Sequence, residues 1–185
     1  PRLHPAVKAV MPVRTALGVR TLFNVLGPLT NPAAAPRQVL GVYSAHLVEL
    51  LGRVLLELGS VHALVVHGSD GLDEITTTGP TDVAAVRDGR VRRLVITPEE
   101  AGLPRASSAD LEGGEPADNA ALMASVLGGE PGPLLDVSLL NAGAAIYVGG
   151  LATSIRAGVD RAREAVESGA AADTLERLRE SSVAE

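Results

Sequence analysis

Two adjacent carboxylates and one arginine are the residues of this chain best suited to do chemistry. Asp73 and Glu74 stand in Gly71-Leu72-Asp73-Glu74, just past the apolar run Ala63 to Val66, which reads as a buried strand. Inside a strand, neighbouring side chains point to opposite faces. In a loop, both carboxylates can turn toward one ion. Hard oxygen ligands suit Mg2+, which is commonly held by one or two carboxylates together with substrate phosphates. The same pair also suits a solvated acidic turn or a helix N-terminal charge, and spacing alone leaves these readings open. Arg14, in Pro12-Val13-Arg14-Thr15, offers a rigid fork of donors that matches a carboxylate or a phosphate. It equally suits a surface ion pair. Arg20 and Arg37 share that ambiguity with less context around them.

The other reactive residue types narrow the field. The histidines are His4, His46, His62 and His67, and no two have the i, i+4 spacing of a helical zinc motif. His67 ends the strand beside Gly68 and is expected to make a structural hydrogen bond. His46 is expected at the surface of a packed helix. There is no cysteine, which excludes disulfides and thiolate metal sites. Neither a G-x-x-x-x-G-K-[ST] phosphate loop nor a G-x-S-x-G nucleophile elbow is present. Gly113-Gly114 and Gly149-Gly150 read as helix termini rather than as phosphate cradles.

These residues need elements to position them. His4 to Leu26 reads as short helices broken at Pro12 and Gly18. Gly27-Pro28-Leu29-Thr30-Asn31-Pro32 is a dense turn signal. Val39 to Tyr43 reads as a strand. Ala45 to Leu58 reads as a helix with Leu47, Val48, Leu51, Val54, Leu55 and Leu58 on one face, Ser44 as its N-cap and Gly59 as its C′ residue. With Ala63 to Val66 this makes a βαβ unit. In open parallel sheets ligands sit at the carboxyl ends of strands, which is where Asp73 and Glu74 fall. Asp88-Gly89, between Val83-Ala84-Ala85-Val86 and Val91 to Ile96, is a hairpin signal. Beyond Pro98 the chain reads as helical. Helices are expected over Glu115 to Leu127, Leu134 to Val148, Leu151 to Ser168 and Ala170 to Arg179, with Gly169 between the last two. The small residues Ala142-Gly143-Ala144-Ala145 leave room for a close backbone neighbour. The expected fold is α/β: a central, mostly parallel sheet with flanking helices and an antiparallel hairpin, residues 1–185 forming one domain.

Composition sets the outer limits. The chain has 185 residues, is 46% hydrophobic and carries a net charge of −6, with only 2% aromatics. A core of Leu, Val and Ala follows. The acidic balance disfavours a nucleic-acid surface. No apolar run approaches the ~20 residues of a membrane span. The absence of cysteine suits a reducing cytoplasm. The start, Pro1-Arg2-Leu3-His4-Pro5, has no initiator Met and no signal-peptide pattern, and reads as the interior of a longer protein.

Several blocks together resemble the anthranilate phosphoribosyltransferase family. They are His4-Pro5-Ala6-Val7-Lys8, Pro12-Val13-Arg14, Arg20-Thr21-Leu22-Phe23-Asn24-Val25-Leu26-Gly27-Pro28-Leu29-Thr30-Asn31-Pro32, Val65-Val66-His67-Gly68, Gly71-Leu72-Asp73-Glu74-Ile75, Asp118-Asn119-Ala120 and Leu140-Asn141-Ala142. The resemblance implies the C-terminal domain type of the nucleoside phosphorylases and phosphoribosyltransferases. It implies a cytoplasmic, homodimeric enzyme of tryptophan biosynthesis that transfers the phosphoribosyl group of phosphoribosyl pyrophosphate to the amine of anthranilate. It further implies Asp73 and Glu74 at Mg2+, Arg14 at the anthranilate carboxylate, and His4 and Gly27 along the anthranilate path. No general base is assigned, since an aromatic amine is already a neutral nucleophile.

The family's glycine-rich phosphate loop, its Asn-x-Ser-Ser stretch, its Lys-His-Gly-Asn segment and most of its helical, dimer-forming domain have no counterpart here. The chain alone is therefore expected to be inactive. Pyrimidine nucleoside phosphorylases share the fold type, but the adjacent acids and the FN-x-LGPL-x-NP block favour the anthranilate enzyme. A nucleic-acid-binding relative is disfavoured by the charge, and a decayed, non-catalytic form by the intact Arg14, Asp73 and Glu74.

Overall fold

Gly41 ends a short strand, and it ends it against the backbone of the acidic loop. A Cβ at Gly41 would lie 1.6 Å from the Asp73 carbonyl oxygen. The elements that create this contact follow from the sequence. The computed structural model describes Val10, Pro12, Val13, residues 15–18 and residues 23–183. They fall into two units, Pro1–Pro36 and Arg37–Glu185.

In the first unit, Val10, Pro12, Val13 and Thr15 to Leu17 are helical, and Gly18 leaves the helix at φ +62. The break at Gly18 is as expected. Pro12 instead lies among helical residues, since proline's fixed φ is close to the helical value. Helix α1 (Phe23–Leu29) carries Pro28 inside it. The turn signal therefore takes effect only at Thr30, whose N–H and hydroxyl both donate to the Leu26 carbonyl, at 3.0 and 2.9 Å. A seven-residue helix has most of its backbone groups at its ends, so the donor missing at Pro28 disturbs it little.

The second unit contains β1 (Arg37–Gly41), α2 (His46–Glu57), β2 (His62–Gly68), β3 (Thr81–Arg87) and β4 (Arg90–Ile96). After a 3-10 turn, Ser108–Leu111, come α3 (Pro116–Leu127), α4 (Pro133–Gly149), α5 (Ile155–Glu167) and α6 (Ala170–Val183). The sheet order is β1-β2-β3-β4. The α/β class, the flanking helices and the hairpin are as expected. The sheet itself is mixed: β1 and β2 are parallel, whereas β2/β3 and β3/β4 are antiparallel. Only β1 and β2 are joined through a helix. The 69–80 connection has none, so β3 returns antiparallel beside β2.

Helices cover both faces of the sheet, which explains why β2 is apolar almost throughout. On one side Leu64, Val66 and Val83 pack with Leu135, Leu139, Leu140, Ala144 and Val148 of α4. On the other, Gly52 of α2 lies so close to β3 that a Cβ there would sit 2.9 Å from that of Ala84. Helices α4 and α5 meet through two glycines. A Cβ at Gly158 would be 2.1 Å from the Gly143 carbonyl oxygen, and one at Gly143 would be 2.6 Å from the Val159 nitrogen. This is the close approach that the small-residue stretch foretold.

Turn chemistry is mostly as read. Asp88 at φ 53 and Gly89 at φ 70 make the hairpin turn with two positive φ angles. Gly59 at φ +83 closes α2 as its C′ residue. The N-cap of α2 is a correction. Ala45 takes that place without a side-chain cap, and the Ser44 hydroxyl instead pairs with Nδ1 of His46 at 2.7 Å. With a partner two residues away, the hydroxyl is drawn from the helix N–H groups.

Candidate active-site loop

The segment from Ser69 to Pro80 leaves β2 at its carboxyl end, as the parallel pair β1/β2 requires of a ligand-bearing loop. Its path is fixed by a lattice of short-range bonds. The Asp70 carboxylate accepts the backbone N–H of Leu72 at 3.1 Å and the hydroxyl of Thr78 at 2.7 Å, and it also accepts the hydroxyl of Thr76. Burial would raise the Asp70 pKa, but the hydrogen bonds from Thr76, Thr78 and the Leu72 backbone outweigh it and hold the carboxyl below its ordinary range. Asp70 is thus a structural anion that stays ionised.

Three glycines give the loop its clearance. Gly41 admits the Asp73 carbonyl. A Cβ at Gly68 would lie 2.5 Å from Asp70 Oδ1, and one at Gly79 would lie 2.4 Å from Ser69 Oγ. Asn141, on α4, ties down the far side. Its Oδ1 accepts the Ile75 N–H at 3.0 Å, and its Nδ2 donates to the Ile75 carbonyl at 2.8 Å. Ile75, Thr76 and Thr77 are fully buried, so the chain is anchored immediately after Glu74. His67 Nδ1 lies 2.8 Å from the Val42 carbonyl, the structural role expected of it. His46 is exposed, also as expected.

Between these anchors, Asp73 and Glu74 keep solvent contact. Partial desolvation by the surrounding loop raises the Glu74 pKa, and the negative charge of Asp73 adds to the shift. A divalent cation at this pair would offset both the desolvation of Glu74 and its repulsion by Asp73. Among the described residues, no group of three or more His, Asp or Glu side chains converges on one point. A cation here would take one or two protein carboxylates and complete its shell from water or a ligand's oxygens, the habit of Mg2+ rather than of zinc.

Of the other residues proposed from sequence, Arg14 and His4 lie outside the described residues. Gly27 is exposed within α1, in the first unit. Sequence reasoning does not single out Asp70, Thr76 or Thr78, and it places Asn141 in a matching block without a role. An amide in the middle of a largely apolar helix was the available signal for Asn141.

The family model described as "Glycosyl transferase family, a/b domain" matches residues 1–172. Anthranilate phosphoribosyltransferase of Methylobacterium nodulans is 55% identical over 175 residues, 95% of this chain and 52% of that protein. The solved anthranilate phosphoribosyltransferase of Thermus thermophilus is 48% identical with a TM-score of 0.86, covering 94% of this chain and 51% of its own. That of Saccharomyces cerevisiae, in complex with PRPP and Mg, is 28% identical with a TM-score of 0.84, covering 94% and 50%. The chain spans about half the length of the curated relatives it matches.

Proposed function

Because the chain belongs to the glycosyl transferase family through its a/b domain, we propose that it forms part of an anthranilate phosphoribosyltransferase. The reaction joins the phosphoribosyl group of phosphoribosyl pyrophosphate to anthranilate, giving N-(5-phosphoribosyl)anthranilate for tryptophan biosynthesis. The observation that supports this reading best is the acidic pair at the carboxyl end of β2, on a loop anchored by Asp70, Asn141 and Gly41. The similarity to enzymes of that name, one of them solved with PRPP and Mg, supports the same choice.

In this account the anthranilate nitrogen attacks the anomeric carbon of the ribose. A C–N bond forms, the C–O bond to pyrophosphate breaks, and the amine gives up one proton. Negative charge grows on the departing pyrophosphate. Asp73 and Glu74 would hold Mg2+, which supplies charge neutralisation at that leaving group. The chain's own work is positional. Asp70, Thr76, Thr78 and Asn141 keep the two carboxylates at the end of the sheet. Arg14 would pair with the anthranilate carboxylate, and His4 and Gly27 would line the approach of that substrate. Alignment of the two reactants then carries much of the rate.

The chain is read as a glycosyltransferase-type α/β domain, with the donor's phosphates cradled by residues outside it. The complete enzyme is read as a cytoplasmic homodimer. Among the described residues no helix is long and apolar enough to cross a membrane.

The test is an assay of the full-length protein with both substrates and Mg2+, following loss of anthranilate fluorescence, beside a phosphorolysis assay with pyrimidine nucleosides. Anthranilate consumption that requires phosphoribosyl pyrophosphate is expected. Phosphorolysis without anthranilate consumption would overturn the assignment.

A further inference from the structure

A polar cavity lies at the opposite end of the sheet from the acidic loop. It measures about 390 Å³ and is lined by Arg37, His62, Arg87 and Tyr147 among others. Arg37 and His62 open the parallel strands β1 and β2, and Arg87 closes the antiparallel strand β3. His62 pairs with Arg87, and Arg37 pairs with His62, in the strand register. Topology therefore brings two guanidinium groups to the same edge as a histidine. The length of β2 separates this edge from the acidic loop, roughly 20 Å at ~3.3 Å per residue.

His62 is the unusual member. Its side chain lies in a residue only 4% exposed, and its Nε2 has no hydrogen-bond partner. Buried polar atoms are ordinarily satisfied, so this one calls for a partner. Burial lowers the His62 pKa, and the charges of Arg87 and Arg37 lower it further. The ring is thus neutral, with one N–H and one bare nitrogen, and the unpartnered Nε2 is able to serve as the acceptor.

The surrounding groups have the complementary bias. Arg37 spends one N–H on the Val148 carbonyl at 2.8 Å and has no carboxylate at ion-pair distance among the described residues. Arg87 donates to the Tyr147 hydroxyl at 3.1 Å, which leaves that hydroxyl's own hydrogen to donate. The one acid on the rim, Asp88, lies 3.7 Å from Arg87 and is itself largely exposed. The cavity thus carries two cations against one anion, and Nε2 of His62 is a buried side-chain atom on its wall that lacks a partner.

We propose that this cavity binds a hydrogen phosphate ion. Its oxyanion atoms would take N–H groups of Arg37 and Arg87 and the Tyr147 hydroxyl. Its remaining O–H would donate to Nε2 of His62. Sulfate has the same size and charge near neutral pH but no proton to give, so the site distinguishes the two. The site is separate from the acidic loop and does not depend on the activity proposed above.

The experiment is a titration of the full-length protein followed by NMR of the assigned His62 ring, at pH 7.5 and constant ionic strength. Inorganic phosphate is expected to shift the His62 signals saturably, with sulfate at least tenfold weaker. R37Q and R87Q are each expected to weaken phosphate binding about tenfold, the loss of one charge-assisted hydrogen bond. The proposal is overturned if the His62 signals do not respond saturably, if sulfate matches phosphate in the wild-type protein, or if both variants bind phosphate as the wild type does.

Discussion

Asn141 and Ile75 are joined by two hydrogen bonds that mimic a strand pairing: the amide oxygen accepts the Ile75 N–H, and the amide nitrogen donates to the Ile75 carbonyl. The two residues are 66 positions apart. Through this one side chain, α4 fixes the residue that follows the acidic pair. The packed core between α4 and the sheet thereby sets the position of Glu74.

Replacing Asn141 by alanine leaves the buried N–H and C=O of Ile75 without partners. Each such group costs about 1–3 kcal/mol. N141A is expected to lower the urea midpoint and to speed amide exchange at Ile75 more than at core residues of β2. Unchanged exchange at Ile75 would show that the amide bridge does not anchor the loop.

Gly41 tests the other side of the same loop. A methyl group there would overlap the Asp73 carbonyl, so either β1 or the loop must move. G41A is expected to destabilise the protein by about 1–3 kcal/mol, and a larger share of the damage should fall on Mg2+ affinity than on the sheet. A variant that folds with wild-type stability and wild-type Mg2+ response would contradict the contact.

The glycine pair between α4 and α5 is a matter of packing alone. G158A places a Cβ against the Gly143 carbonyl. It should cost about 1–3 kcal/mol, read as a lower thermal midpoint, with the acidic loop's Mg2+ affinity little changed.

Glu74 makes a signed prediction about pH. Its folded-state pKa is raised above the ordinary 4.5 by desolvation and then by Asp73. As pH climbs past 4.5 the unfolded chain ionises first, so the folded state loses ground until Glu74 itself has titrated. Its contribution to stability is therefore fully present below 4.5 and lost as pH rises through the folded pKa. Without divalent cation, E74Q should gain stability over the wild type across that interval, and Mg2+ should erase the gain. Parallel stability curves for the two proteins from pH 4 to 7 would refute the shift.

Much of this arrangement is visible in the residues themselves. Asp88-Gly89 marks the hairpin because two consecutive positive φ angles favour just such residues. Pro116 and the Gly128-Gly129 pair bound α3, and Gly169 separates α5 from α6. Each is a local preference. The position of the acidic pair was legible because an apolar run ends just before it. What holds the pair was not. The Asn141 bridge, the demand for glycine at position 41 and the neighbours of His62 arise from contacts between segments far apart in sequence, which no local pattern encodes. Pro28 shows the reverse case, a local breaker tolerated inside a short helix. The mixed sheet lay between the two: a 69–80 connection with no helical pattern already argues against a parallel β2/β3 pair.

The most direct test of the account is the Mg2+ dependence of phosphoribosyl transfer in the full-length enzyme carrying D73N or E74Q. If the two carboxylates hold the ion, the Mg2+ concentration for half-maximal rate should rise tenfold or more in each variant, while anthranilate KM at saturating Mg2+ changes little. Wild-type Mg2+ dependence in both variants would contradict the assignment of Asp73 and Glu74.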